Sequence, residues 1–286
     1  MTRAPVHWPH LALLALLVPA WQVATATTLA PTAVLAAWLA LNVAVLAFAE
    51  QWRPFRRDWA PTRRHLARDG TVWSLNLLAD ALASAALAAV AIAWAPDTSA
   101  WPVASQVGAG LLAAEFGSYV LHRWSHRDGW LWRVHLLHHR PDRLNVANAI
   151  TAHPFNAVYD KVARTLPLLA LGLSPEAVLA VALFGITQAL VVHANVAGSI
   201  GVLEWFVGSA ALHRRHHSTH EAEAGNFGTA LPFWDQVFGT YRRGAAPAAV
   251  GVFTPAAYPG EFELAALLAW PLRIARRWRP LRPRCC

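Results

Sequence analysis

HRWSH at residues 122–126 and HLLHH at residues 135–139 are the stretch on which the fold turns. A second HxxHH box, HRRHH, stands at residues 213–217, and His193 sits alone in VVHANV. Nine of the chain's 14 histidines fall in these four places: His122, His126, His135, His138, His139, His193, His213, His216 and His217. All lie at the ends of strongly apolar runs or between them. Positions i, i+3 and i+4 share one face of an α-helix, so each box can aim two or three imidazoles at one point. Neutral imidazole suits iron, zinc, copper or nickel. Nine donors exceed the about four to six places of one ion and suit two.

Composition sets the solvent around these boxes. Apolar residues make up 56% of the 286 positions and charged residues only 14%, with a mean hydropathy of +0.33. That balance is a membrane protein's. The 15 tryptophans fit interfacial anchoring, and Trp124, Trp130 and Trp132 are read that way. The net charge of +8 comes from arginine, with Lys161 the only lysine. Nucleic-acid binding would place such charge on a soluble fold, and this chain is too apolar for that. Clustered beside hydrophobic segments, the arginines suit an anionic membrane surface. The two cysteines, Cys285 and Cys286, are adjacent, offer no disulfide framework and form no CaaX box.

Apolar runs occur at about residues 11–26, 32–49, 71–95, 103–121, 158–173 and 176–196. Arg3 and the ATA at residues 24–26 resemble a signal peptide, but the second run follows so closely that a membrane hairpin explains both better. The six runs pair into three hairpins, the fifth being short for a full span. Such pairing brings every histidine box out on one side of the membrane. Arg53, Arg56, Arg57, Arg63, Arg64 and Arg68, with the basic tail beyond residue 272, predict that this side is cytoplasmic. Residues 261–274 read as an interfacial helix. The expected division is 1–100 for the N-terminal transmembrane hairpins and basic loop, 101–245 for a catalytic domain, and 246–286 for the interfacial helix and tail. The fold class is therefore all-α: an integral membrane bundle with a cytosolic helical cap holding a histidine-rich dimetal site.

Known metal motifs narrow the chemistry. There is no HExxH for zinc proteolysis, no CxxCH for haem, and no cysteine set for structural zinc. Two ions held by mostly neutral ligands remain electrophilic, which suits oxygen activation at iron. Carboxylates then read as supports that orient imidazole N–H groups, with Glu115, Asp142, Glu204, Glu221 and Asp235 as candidates. Gly108 and Gly110 suit close helix packing. His7, His10 and His65 are read as ordinary interfacial or hydrogen-bonded histidines.

With these residues in view, the chain resembles the fatty acid hydroxylase and sterol desaturase superfamily of membrane-bound di-iron oxygenases, over about residues 111–241. Beyond the boxes, the resemblance rests on AHP at residues 152–154, HANV at 193–196, RRHHS, GNFG at 225–228 and WDxxFGTY at 234–241, in that order. It implies that the nine histidines are metal ligands, and it leaves open whether His153 is a ligand or an orienting group. Some relatives carry a further histidine just after the His193 position, where this chain has Asn195. It also implies two iron ions, replaceable by zinc on purification, dioxygen as co-substrate, and hydroxylation or desaturation of a lipid C–H bond. The lipid is a sterol, fatty acyl chain, sphingoid base or ether lipid. No cytochrome b5-like HPGG and no GxGxxG occurs, so electrons would come from a separate donor: a ferredoxin, cytochrome b5 or a reductase. Two other readings stand beside this one. A carotenoid hydroxylase shares the boxes, and a non-enzymatic membrane metal-binding or transport protein would use histidines for cargo.

Overall fold

The computed structural model describes residues 6–94, 101–127 and 129–273. Among the described residues the chain is helical, and β-pairing is limited to three isolated bridges. Proline stands in the first turn of α1, α2, α6 and α7. α1 (Trp8–Ala26) has Pro9 as its second residue, with the His7 ring accepting from the His10 amide; α2 (Pro31–Trp52) starts at Pro31. A fixed φ near −65° and the absence of an N–H both favour that position. α3 (Arg63–Trp94) is a single 32-residue helix that starts eight residues before the apolar run anticipated from residue 71. α4 (Val103–Ser125) carries its run through His122. α5 (Trp130–His139) is the HLLHH helix. α6 (Pro154–Ala170) and α7 (Pro175–Val191) again open on proline, behind the caps His153 and Ser174. The short α8 (Ala210–His216), α9 (Phe233–Val237) and α10 (Leu264–Ala269) complete the cap.

α1, α2 and α3 are long and apolar enough to cross a membrane. The sequence leaves four to six full spans open; among the described residues these three helices meet the length and apolarity of a span. α4 has 23 residues, but it buries Gln106, Glu115 and Ser118 in its middle, which dilutes its apolarity. α6 and α7 have 17 residues each, about 26 Å of helix against a hydrocarbon core of about 30 Å. The first hairpin forms, α1 packing against α2, while the pairing of the later runs is corrected. α6 packs against both α3 and α4, while α7 packs against α1, α2 and α4. Close approach explains part of this. A Cβ on Gly117 would collide with the Ala163 carbonyl, and one on Gly110 would lie 2.8 Å from Leu173 Cδ1. Gly108 has open space around it, so the packing role belongs to Gly110 and Gly117.

The interfacial helix expected over residues 261–274 is shorter, α10 followed by a 3-10 turn at Trp270–Leu272. Ile274, the basic tail after Arg273 and the Cys285–Cys286 pair lie outside the described residues. The N-terminal region braces the cap from below. The Glu50 carboxylate accepts the Val146 and Asn195 amides at 2.7 and 2.8 Å. Asn76 donates to the Ile150 and Ala152 carbonyls, and Asp69 accepts from Thr151 Oγ1.

Candidate metal centre

All nine histidines converge, and they divide into two groups. His122, His126, His135, His139 and His216 form one; His138, His193, His213 and His217 form the other. Within each group one ring nitrogen per residue lies within 4.8 Å of every other. The division follows from helix geometry. In each HxxHH box the first and last histidines are i and i+4, about 40° apart, while the middle one, i+3, is turned about 60° from the first and about 100° from the last. HLLHH therefore sends His135 and His139 to the five-histidine group and His138 to the other. HRRHH does the reverse, sending His213 and His217 to the four-histidine group and His216 across.

Backbone carbonyls hold the rings. Nδ1–H donates to the Phe227 carbonyl from His122 (2.7 Å), to Gly225 from His216 (2.8 Å), to Ala189 from His193 (2.8 Å) and to Thr151 from His138 (3.3 Å). His135 Nδ1 donates to the Asn156 side-chain oxygen at 2.7 Å. A neutral ring that donates from Nδ1 carries a bare lone pair on Nε2. Desolvation lowers the pKa of His138 to about 4 and, with the nearby His138 charge adding to it, that of His193 to about 3. Both rings are thus neutral near pH 7. Their bare Nε2 atoms nevertheless face each other at 3.3 Å, and His193 Nε2 lies 2.9 Å from that of His213. In the five-histidine group His139 Nε2 lies 3.1 Å from His135 and 3.2 Å from His216. Lone pairs at such separations repel unless a cation lies between them. Two nitrogens bound about 2.0–2.1 Å from one ion sit about 3.0–3.4 Å apart. The spacing and the tautomers fit a bound metal ion in each group. The buried Nε2 atoms of His122 and His126 have no protein partner, which fits the same role.

Apolar walls surround the five-histidine group. Phe227 lies against His122, His126 and His216, with ring centroids 5.2–5.9 Å apart. Trp132 lies 5.7 Å from His126 and 5.8 Å from His139, and its Nε1–H donates to Tyr258. Trp132 is therefore a wall of the site, while Trp124 and Trp130 are exposed.

The anticipated carboxylate supports are corrected, because the ring partners are four carbonyls and an amide. Glu115 binds Arg164 at 2.8 Å and the Ala230 amide at 2.7 Å, tying α4 to α6 and to the loop before α9. Asp142 pairs with Arg143, and Glu204 with Ser199 and Arg243. The Glu221 side chain lies outside the described residues. Asp235 acts at one remove. Its fully buried carboxylate accepts the Phe227 amide (2.8 Å), the Gly228 amide (2.7 Å) and Thr240 Oγ1 (2.6 Å). It thereby clamps the loop whose carbonyls orient His122 and His216. The GNFG glycines serve this clamp. A Cβ on Gly228 would lie 2.7 Å from Asp235 Oδ2, and Gly225 has φ +157° with the Thr240 carbonyl 2.5 Å from where its Cβ would be.

His153 stands apart from both groups. Its Nδ1 accepts the Phe155 amide as the cap of α6, and its Nε2–H donates to the Leu268 carbonyl at 3.0 Å. Asn195 faces away from the groups as well, exchanging hydrogen bonds with the Arg56 backbone at 2.9 and 2.8 Å. His7, His10 and His65 are buried outside both groups. Residues missed by the sequence reading include Asn156, Thr151 and Phe227. AHP and GNFG were the only signals near them.

A helical membrane protein with two buried histidine groups of metal-binding geometry is the class that the fold and site define. Residues 107–240, which contain all nine histidines, match the fatty acid hydroxylase family. This segment, just under half of the chain, carries the similarity to the fatty acid hydroxylase and sterol desaturase superfamily. An ornithine lipid hydroxylase (OlsE) of Rhizobium tropici is 36% identical over 153 residues, covering 53% of this chain and 46% of that protein. The alkylglycerol monooxygenase of Homo sapiens is 28% identical over 131 residues, covering 46% of this chain and 29% of its own. That of Danio rerio is 27% identical over 172 residues, covering 58% and 37%. The chain thus spans less than half the length of each of these relatives. No solved structure matches it.

Proposed function

We propose that this chain is a membrane-bound oxidoreductase, a di-iron oxygenase that hydroxylates a C–H bond of a membrane lipid with dioxygen. The observation that carries the reading is the facing of bare, neutral imidazole nitrogens in two adjacent groups. Hydroxylation is preferred to desaturation because the relatives are named a hydroxylase and monooxygenases. The substrate class follows from the same names: a lipid with a polar head, such as an ornithine lipid or an alkylglycerol.

The nine histidines are the proposed ligands, five on one ion and four on the other, with 101–245 as the catalytic domain. Bound ferrous ions would supply dioxygen binding and activation, using electrons from a separate donor such as a ferredoxin, cytochrome b5 or reductase. The chain's own residues do the rest. Carbonyls of Phe227, Gly225, Ala189 and Thr151 fix each ring's tautomer, so that Nε2 points inward. Phe227 and Trp132 keep water from the five-histidine group. The absence of carboxylates among the donors leaves the ions uncompensated and electrophilic. The positive-inside pattern of the arginines supports a cytoplasmic position for the groups.

The test is metal content and oxygen uptake together. The protein is purified in detergent, loaded anaerobically with ferrous iron, and supplied with reductant and a total lipid extract. Two irons per chain, lipid-dependent oxygen uptake and a product 16 mass units heavier are expected. A product 2 units lighter would indicate desaturation. Metal binding without oxygen uptake would replace the enzyme reading with metal handling.

A further inference from the structure

We infer that residues 199–209 and 228–240, which do not cross the membrane, form a wedge that enters the bilayer beside α4 and contacts lipid acyl chains. These two segments lie in the cap by sequence, yet their outer surface is apolar. Val202 is 71% exposed, Phe206 65% and Val237 55%, and Trp205, Phe233 and Phe238 are exposed around them. The segments contain two charged residues, Glu204 and Asp235, and both are buried. A water-facing surface is built the other way round, and a contiguous apolar patch of this kind marks an interaction site.

Hydrogen bonds join the two segments. Gln236 Nε2 donates to the Trp205 carbonyl at 2.7 Å, and Tyr241 Oη donates to that of Glu204 at 2.9 Å. Their depth is read from α4. Trp234 Nε1 donates to the Leu112 carbonyl at 3.0 Å, and its ring lies 4.7 Å from Phe116. Leu112 precedes His122 by ten residues, about 15 Å along the helix away from the histidines. The wedge therefore lies along α4 well away from its histidine end.

Charge marks where the surface regains water. Arg242 and Arg243 directly follow the wedge, with Arg243 stacked 5.3 Å over Trp205. Arg123 and Arg127 close the histidine end of α4. Between α4 and Phe238 runs a groove of about 260 Å³, apolar along Phe116, Val120 and Trp124 and edged by those two arginines. Apolar below and cationic above is the complement of a lipid with an anionic head.

This inference does not depend on the catalytic reading, and its test needs no turnover. In a Cys285→Ser, Cys286→Ser background, nitroxide labels are placed at Val202→Cys, Phe206→Cys and Val237→Cys, one at a time. Leu82→Cys on α3 serves as a lipid-facing reference and Ala246→Cys as an exposed one. The chain is reconstituted in phosphatidylglycerol vesicles, and relaxation by dissolved oxygen is compared with relaxation by a water-soluble nickel chelate. The wedge labels are expected to favour oxygen over nickel as Leu82 does. Nickel accessibility equal to that at Ala246 overturns the inference, and protection from both reagents overturns it in favour of a covering protein chain. On the unsubstituted chain, a bilayer-soluble carbene reagent should label peptides 199–209 and 228–240. Absence of label there, with α3 labelled, overturns the inference independently of any cysteine variant.

Discussion

The five-histidine and four-histidine groups share two sequence boxes and differ in what holds them. The four-histidine group draws its ring partners from the α7 turn and from Thr151, both braced by the N-terminal helices through Glu50, Asp69 and Asn76. The five-histidine group takes two of its partners from the loop 225–228, which a single buried carboxylate, Asp235, clamps. The two histidine groups thus hang on separate parts of the chain. They should be separable by substitutions that touch no ligand.

The strongest way to break the comparison is to remove one ligand from each side. His216→Ala and His138→Ala should each lower metal content from about two ions per chain to about one, with oxygen uptake at background in both. Metal analysis on folded protein decides it, and loss of both ions in both variants would mean a single coupled site. Asp235→Asn should weaken the five-histidine ion by about 10–100-fold while leaving the other ion in place. Competition with a chelator would resolve a weak from a tight class. Uniform weakening of both ions would count against separate supports.

Acid should act on the metal-free protein through neutral imidazoles. The folded pKa of His138 is about 4 and that of His193 about 3, below the 6.5 of an exposed ring. As pH falls below about 6.5 the unfolded chain takes up protons first, so stability is full above that value and declines toward pH 4. Thermal midpoints from about pH 8 to about pH 5 should fall along this course. Bound metal should be released in the same direction, because protons compete for Nε2. A flat midpoint would mean that the rings are not neutral and buried. The smallest effect belongs to His153→Ala, which removes a helix cap. A loss of about 1 kcal/mol of stability with metal content unchanged is expected, and loss of an ion would return His153 to the ligand set.

Much of the fold was legible because apolar runs and opening prolines are local signals. The fourth run was overcounted as a span because Gln106, Glu115 and Ser118 turn inward, and inward polar residues look the same in sequence as interruptions. Hairpin pairing failed at α3 and α4 because α6, which is distant in sequence, packs against both. At Gly117 the absence of a Cβ where the Ala163 carbonyl sits made that approach possible. The carboxylates were assigned the wrong task because charge draws attention in a sequence while carbonyls, present on every residue, do not.

By itself the sequence determined that the imidazoles would gather, because i, i+3 and i+4 share a helical face whatever the helix packs against. It also determined the membrane setting, through composition. Only the tertiary structure decided how each box divides, with His138 crossing one way and His216 the other. Rotations of about 60° and about 100° separate the middle histidine from the first and last of its box, but which group it joins depends on the helix packed opposite. The same holds for the ring orientation set by Phe227, Gly225, Ala189 and Thr151: a backbone carbonyl gains its partner from the path of the chain and not from the residue that carries it.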